Sequence, residues 1–329
     1  MGLSGYLVFT ANSSDVIKTF IAFEVGKLLP NFDILRLLQF KVSFVKKLFV
    51  ILWVLICSPL YAQSFAITEK PTKLKFPGKF VWLDLLTTDI HSAAKFYESV
   101  FGWKASSIDE NYILLSNNGR RIAGIVKNRF QLEDNESNQW ISFVSIVDIK
   151  KAHLKLVEAG AQAIAGPMPI DGRGNIGVYV APDSAVFGII NSSSGDPEEK
   201  GAGLNDWVWN ELWSTNTGAA AEFYKTLGYD VVDNWNSDNG QDLLLATGEI
   251  ARAGLVEAHK SQTKSIWLAY ILVSNVDSII ARSEEAGGKT HILEGDANNV
   301  GKIALVSDPT GGMVAVFELS GKAGGQDSE

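Results

Sequence analysis

Apolar and polar positions alternate along the chain with two periods, one typical of strands and one typical of helices. The stretch Phe80–Leu86 is apolar and rich in β-prone residues, which predicts a strand. Asp89 can cap a helix, since apolar residues then recur three and four positions apart, and Gly102 suits the end of that helix. Short apolar stretches at Tyr112–Leu115 and Arg121–Lys127 predict further strands.

The same order restarts after a polar stretch. It predicts a strand at Trp140–Val147, a helix from Asp148 to Ala159, and strands near Ile176–Ala181 and Val186–Asn191. Each block corresponds to one β-α-β-β-β unit, and two units follow one another before a turn-rich stretch of Ser, Gly, Asp and Pro.

The two-unit block occurs twice, at a constant separation of 127 residues. The matched pairs are Trp82 and Trp209, Phe96 and Phe223, Trp140 and Trp267, Gly160 and Gly287, and Pro182 and Pro309. A constant separation over these landmarks indicates an internal duplication. We therefore predict an α+β protein with tandem domains at 78–192 and 205–320, a linker at 193–204 and a flexible tail at 321–329.

Residues 41–62 have the pattern of a secretory signal peptide. Lys46 and Lys47 precede a short apolar run at 48–56, and a Ser-Pro pair and Ala62 follow. The run is short for a membrane span, so we favour a cleaved leader over the alternative, a retained membrane anchor. Cleavage after Ala62 would place the mature protein in the periplasm or outside the cell.

Residues 1–40 lie upstream of the place where such a leader would normally begin. Two interpretations stay open: a genuine extension, or a mis-annotated one with translation starting near Val42.

Composition narrows the class of protein further. A hydrophobic content of 46% is too high for a disordered chain, and a net charge of -8 argues against nucleic acid as a partner. Cys57 is the one cysteine, so neither an internal disulfide nor a zinc site built from cysteines is possible.

Three short motifs recur in order, W-x-[DE]-L, F-Y and G-[WY], and a D-P-x-G motif follows late in the second copy. In the first copy they are carried by Trp82, Asp84, Leu85, Phe96, Tyr97, Gly102 and Trp103. In the second copy they are carried by Trp209, Glu211, Leu212, Phe223, Tyr224, Gly228, Tyr229 and the stretch 308–311. This set resembles the vicinal oxygen chelate superfamily, which includes glyoxalase I, extradiol dioxygenases, fosfomycin-resistance proteins and bleomycin-binding proteins. The resemblance implies two glyoxalase-like domains, each a curved mixed sheet around a ligand-holding cleft.

The resemblance also implies a divalent metal held by His, Glu or Gln on strands of both units. The matching positions are Trp82, Trp209, Trp140 or Ile141, Trp267 or Leu268, Gly188 and Ala315. None of these residues can bind such a cation. The strands of Gly124 and Gly254 offer no clear donor, although Glu257 follows a few residues on. The histidines, His91, His153, His259 and His291, have no partner at matched spacing, so we predict no metal and no cofactor.

The predicted ligand-binding residues are Trp82, Asp84, Trp209, Glu211 and Trp213. Residues two apart on a strand share a face, so tryptophans and one carboxylate would line each cleft. Such a cleft suits a flat organic molecule, including a cationic one. The alternative is that the tryptophans fill the cleft as core and that the carboxylates bind neighbouring backbone or hydroxyl groups.

Three functions remain open at this point. The first is an exported, metal-independent small-molecule-binding protein of the glyoxalase/bleomycin-resistance type. The second is a lyase, isomerase or dioxygenase of the same superfamily with a displaced metal site, and the third is a protein-interaction module. We identify no catalytic residues. Superfamily members with one such domain commonly pair, and this chain already holds two domains, so we expect a monomer.

The leader generates the first testable prediction. Expression of the full chain in a bacterium that exports it should yield a non-cytoplasmic protein that begins at Gln63, because the signal pattern ends at Ala62. N-terminal sequencing checks this start. An exported chain that still begins at Met1 would contradict it.

Overall fold

The computed structural model describes residues 65–128, 138–199, 201–233, 242–259, 262–293 and 301–318. All of them belong to one compact unit, Phe49–Glu329. The predicted leader, the extension before it and the predicted tail lie outside the described residues. Within those residues, no helix combines the length and the apolar character that crossing a membrane would require.

The first domain consists of eight strands in one mixed sheet and two helices. Its elements are β1 (Phe80–Thr87), α1 (Ile90–Phe101), β2 (Lys104–Asp109), β3 (Tyr112–Asn117), β4 (Arg120–Lys127), β5 (Gln139–Ser145), α2 (Ile149–Glu158), β6 (Gln162–Ile170), β7 (Gly174–Val180) and β8 (Val186–Ser192). The strand order is β2-β3-β4-β1-β5-β8-β7-β6. It places β1 and β5, the first strands of the two units, side by side at the centre of the sheet.

The second domain repeats this architecture. Its elements are β9 (Trp207–Ser214), α3 (Thr217–Lys225), β10 (Asp230–Asp233), β11 (Leu243–Thr247), β12 (Ile250–Glu257), β13 (Ile266–Val273), α4 (Val276–Glu285), β14 (Lys289–Leu293), β15 (Lys302–Ser307) and β16 (Met313–Glu318). The order β10-β11-β12-β9-β13-β16-β15-β14 matches that of the first sheet position by position. The predicted class, α+β with tandem glyoxalase-like sheets, is confirmed.

Each helix begins at a polar residue that caps it, as the sequence predicts for two of them. The carboxylate of Asp89 accepts hydrogen bonds from the backbone N–H groups of His91 and Ser92, and Asp148 accepts one from Lys151. Gly102 ends α1 in the left-handed conformation, with φ of 70°.

The edge strands are the elements that the sequence pattern leaves unplaced. In β2, four of the six residues are Lys, Ser or Asp, and its side chains are exposed or half-buried, so no apolar period marks it. The other edge strand, β6, contains two prolines and two register shifts in its pairing with β7. Tertiary pairing with the neighbouring strand holds both segments extended.

The largest hydrophobic cores are shared between the two domains. Apolar residues of β1, α1, β3 and β4 form one cluster with apolar residues of β13, α4, β15 and β16. A second cluster joins β5, α2, β7 and β8 to β9, α3, β11 and β12. The helix-covered faces of the two sheets are therefore buried against each other. The opposite face of each sheet belongs to its own domain alone.

A buried hydrogen-bond network also joins the domains, and it uses the F-Y motif of the first copy and the D-P-x-G motif of the second. The hydroxyl of Tyr97 donates to Asp308 Oδ2 at 3.0 Å and accepts from the indole N–H of Trp140 at 2.8 Å. Asp308 Oδ1 accepts from both the backbone N–H and the hydroxyl of Thr310. Burial raises the pKa of Asp308 above its usual value, and the hydrogen bonds from Thr310 and Tyr97 oppose that shift.

The duplication provides a matched test of this network. Tyr224, the counterpart of Tyr97, accepts from Trp267 Nε1, and no hydrogen bond from its hydroxyl to a carboxylate is found within the described residues. Tyr97→Phe should lower the free energy of unfolding by about 1–3 kcal/mol, because it leaves a buried carboxylate oxygen and an indole N–H unpaired. Tyr224→Phe should lower the free energy of unfolding by a smaller amount. Urea unfolding of both variants checks the order, and equal losses would contradict it.

Candidate functional site

Strand alternation divides the recurring W-x-[DE]-L motif of each domain's first strand between two faces of the sheet. Leu83 and Leu85 enter the core shared with the other domain, whereas Trp82 and Leu86 enter a separate cluster on the opposite face. That face is called the concave face below, because the superfamily resemblance implies a cleft on it. Asp84 lies between them in sequence and on the same concave face, two residues from each. The structure therefore places these residues on the face that the sequence analysis assigns to a cleft.

In the first domain this face is occupied by a closed set of polar partners. Asp84 accepts from Trp82 Nε1 at 2.8 Å and from the Tyr112 hydroxyl at 3.2 Å, and its other oxygen pairs with Arg173. Arg173 also contacts the Tyr112 hydroxyl, and its guanidinium lies 5.2 Å from the ring centres of Trp82 and Tyr112. The ion pair is buried, with side-chain exposures of 3% for Arg173 and 7% for Asp84.

The chain immediately before β1 covers this cluster. Ile67 is 1% exposed within the concave-face core, and the Phe65 ring lies 5.0 Å from that of Tyr112. The carbonyl of Phe65 accepts from Arg173 Nε at 3.2 Å, and that of Ala66 accepts from Arg121 at 2.7 Å. The first cleft is therefore filled by the protein itself.

The second domain has no equivalent cover from its preceding segment. The stretch at the equivalent distance before β9 consists of the end of β8 and the linker. It forms hydrogen bonds with the segment before β1 instead of covering the second sheet. Ser194 O accepts from Thr72 N at 2.8 Å, and Asp196 O accepts from Thr72 Oγ1 at 2.7 Å. One concave face is covered, and the segment that would cover the other is held elsewhere.

The concave face of the second sheet is accordingly more exposed at matched positions. Side chains that are buried in the first sheet have half-buried counterparts in the second: Trp82 and Trp209, Asp84 and Glu211, Leu86 and Trp213, Ile176 and Ile303, Val178 and Leu305, and Ile190 and Phe317. The structure thus brings Trp209, Glu211 and Trp213 together on an accessible apolar face. It places Trp82 and Asp84 in a buried cluster, so their predicted role in binding a ligand stays a prediction.

Glu211 is held by neutral donors and no basic side chain pairs with it among the described residues. Its Oε2 accepts from the Trp213 indole N–H at 2.8 Å and from the Tyr270 hydroxyl at 2.6 Å. Burial raises the pKa of Glu211, and the negative charge of Asp242 adds to the shift, while the two hydrogen bonds oppose it. The same carboxyl position is thus ion-paired in one domain, whereas in the other it has no cationic partner among the described residues.

The residues present do not fit the divalent metal that the resemblance implies. On neighbouring strands of the second sheet, Trp209 pairs with Tyr270 and Tyr270 pairs with Ala315. The matched positions of the first sheet are Trp82, Phe143 and Gly188. No group of three or more His, Cys, Asp or Glu side chains comes together within the described part of the chain.

The positions that the sequence leaves ambiguous are resolved by the pleat. Ile141 and Leu268 belong to the concave-face clusters, whereas Trp140 and Trp267 pack in the shared cores. Glu257 is three residues from Gly254, which pairs with Glu211 on the neighbouring strand. Its side chain therefore points to the other face of β12 and cannot join a site beside Glu211.

Arg173, Tyr112 and Tyr270 are the contributors that sequence reasoning missed. Arg173 lies in the glycine-flanked turn between β6 and β7. A single basic residue between two glycines was the available signal. The tyrosines gave none, because the pattern marks them only as apolar strand residues.

The contrast between the two carboxyl positions generates a paired prediction. Asp84→Asn should lower the free energy of unfolding by about 3–5 kcal/mol, because it leaves the buried Arg173 guanidinium without a counter-ion. Glu211→Gln should change it by less than about 1 kcal/mol, since the described partners of Glu211 are neutral and none of them is a buried cation. Denaturant unfolding at neutral pH measures both. A larger loss in Glu211→Gln would contradict the interpretation.

Glu211 also makes stability depend on pH in a defined direction. A carboxyl with a raised folded-state pKa binds its proton more tightly when folded, so its contribution is fully present below the ordinary value of 4.5. That contribution is lost as the pH rises through the folded-state pKa. The wild type should therefore lose stability relative to Glu211→Gln over that interval, and a constant difference in the same unfolding series would exclude the shift.

Comparison with known proteins agrees with this fold. The family profile described as Glyoxalase/Bleomycin resistance protein/Dioxygenase superfamily matches residues 79–182. Among solved structures, a variant of homoprotocatechuate 2,3-dioxygenase from B. fuscum has a TM-score of 0.52 at 13% identity, covering 79% of this chain and 77% of that one. The Mn(II)-bound glyoxalase from Novosphingobium aromaticivorans has a TM-score of 0.51 at 15% identity, covering 74% and 83%. At such identities the likeness shows the fold alone.

Curated relatives align over nearly their whole length. A protein of Mycobacterium bovis named as a candidate glyoxylase, CFP32, is 26% identical over 250 residues, 72% of this chain and 93% of its own. The anthracycline biosynthesis protein DnrV of Streptomyces peucetius is 25% identical over 268 residues, 74% and 94% respectively. The profile match over residues 79–182, the repeated sheet and these relatives together make the chain similar to the glyoxalase/bleomycin resistance protein/dioxygenase superfamily.

Proposed function

We propose that this protein binds a small, flat organic molecule on the concave face of its second domain, without a metal ion. One observation carries the proposal: the same carboxyl position is buried and ion-paired in the first domain, whereas in the second it is half-exposed and has no cationic partner in the part of the chain that the structure describes. Large aromatic side chains beside a single polar anchor are typical of ligand clefts. In this proposal the first domain stabilises the second and binds no ligand itself.

The relatives support an organic ligand without naming it. Two of them carry names that refer to anthracycline biosynthesis, and two are named as a glyoxylase. Both names refer to small organic molecules. The superfamily hosts several chemistries on one fold, so the ligand has to be inferred from the cleft.

Export and a monomeric state belong to the same proposal. The sequence of residues 41–62 supports export, as described above. The shared cores support a monomer, because the helix-covered faces of the two sheets cover each other within one chain.

The proposal predicts binding that depends on the second cleft. Purified protein should bind neutral planar aromatic probes such as naphthalene derivatives, as measured by calorimetry, and Trp213→Ala should weaken binding by about tenfold or more through lost stacking area. The matched control is Leu86→Ala, the same strand position in the first domain, which should leave the affinity unchanged in the folded variant.

Two outcomes would overturn the proposal. Binding lost equally in both variants would exclude the second cleft as the site. Elemental analysis of the same untagged preparation is the second arm, and one tightly held metal ion per chain would favour an enzyme with a displaced metal site.

A further inference from the structure

Two polar atoms beside the second cleft have no hydrogen-bond partner within the described residues. Both hydrogen bonds to Glu211 end on Oε2, which leaves Oε1 free. The indole N–H of Trp209 is also unpaired, although its counterpart in Trp82 donates to Asp84. Neither atom is among the fully buried polar atoms that lack a partner, so both remain accessible to solvent. The cleft therefore offers one acceptor and one donor.

Both atoms lie above the same glycine. A Cβ on Gly254 would come within 2.8 Å of Glu211 Oε1 and 3.2 Å of Trp209 Nε1. Because Gly254 has no side chain, the Glu211 carboxyl can lie close to the strand beside the indole N–H. A ligand group placed over this point would meet the two atoms together.

The chemistry of the pair selects among ligand groups. An ammonium can donate to Glu211 but cannot accept from the indole N–H, and a carboxylate can accept from the indole but is repelled by an ionised Glu211. An ether or ketone oxygen accepts but cannot donate to a carboxylate. A hydroxyl does both, and it also accepts from Glu211 if that carboxyl is protonated.

We infer that the second cleft recognises a neutral aromatic molecule through a hydroxyl group bound between Glu211 Oε1 and Trp209 Nε1. This inference rests on the proposed function and adds the ligand's chemical class. Trp213, Phe317 and Leu305 supply half-buried apolar surface on the same sheet face for the ring that carries the hydroxyl. Glu211 and Trp209 act here as specificity-determining residues.

Three probes with one ring system test the inference. The probes are 2-naphthol, 2-methoxynaphthalene and 2-naphthylmethylammonium, titrated into the wild-type protein by calorimetry at neutral pH. We expect 2-naphthol to bind at least about tenfold more tightly than the other two, because the methoxy group cannot donate and the ammonium cannot accept.

Three variants assign the preference to its residues. Trp209→Phe keeps an aromatic ring but removes the N–H, and Glu211→Met keeps the length but removes the carboxyl; each should reduce the preference for 2-naphthol to less than about threefold. The control is Trp207→Phe, which removes an indole N–H that bonds to Ile122 O in the shared core and should keep the preference. Circular dichroism establishes that each variant is folded.

The outcomes separate this inference from the function on which it rests. Equal binding of all three probes would overturn the hydroxyl inference and leave the proposed function standing. If the ammonium probe binds most tightly, the hydroxyl inference would be replaced by charge pairing between the ligand and Glu211. Absence of binding by any of the three would refute both. A preference that survives in Trp209→Phe and Glu211→Met would place the hydroxyl elsewhere.

Discussion

The structure depends on one constraint: each eight-stranded sheet has an apolar, helix-covered face that cannot remain in water. The two sheets bury these faces against each other, so that the first unit of one domain shares a core with the last unit of the other. The remaining two units share the second core in the same way. A duplicated chain satisfies this constraint within itself. The concave faces then point away from the shared cores and are available for other purposes.

The duplicated motifs acquire unequal roles from this arrangement. The tyrosine of the F-Y motif and the aspartate of the D-P-x-G motif come from different domains, yet they share one buried hydrogen bond between Tyr97 and Asp308. Their importance is structural, because they fix the relative position of the two sheets. A motif that identifies the superfamily therefore need not mark its binding site.

The two concave faces show how one inherited position can diverge. In the first domain a carboxylate, an arginine and a tyrosine satisfy one another beneath the segment at 65–69, and a polar group that is fully paired has nothing left to offer a ligand. In the second domain Glu211 is one methylene longer and lies among half-buried aromatic side chains, and within the described ranges its hydrogen-bond partners are neutral donors to one oxygen. The duplication supplies its own internal comparison, since the backbone at the two positions is equivalent.

The sequence by itself determined the repeat, the four β-α-β-β-β units, the central strands and the capped helices, because these follow from local periods and from residues that act on their immediate neighbours. It also placed Trp82, Asp84, Trp209, Glu211 and Trp213 on one face of their strands, since strand alternation is a local property. It could not locate the polar edge strand β2 or the proline-containing edge strand β6, whose extended form depends on pairing. It could not tell the closed face from the accessible one either. That difference arises from Arg173, 89 residues beyond Asp84 in the chain, and from a segment before β1 that folds back over both, and contacts over such separations are decided only by the tertiary structure.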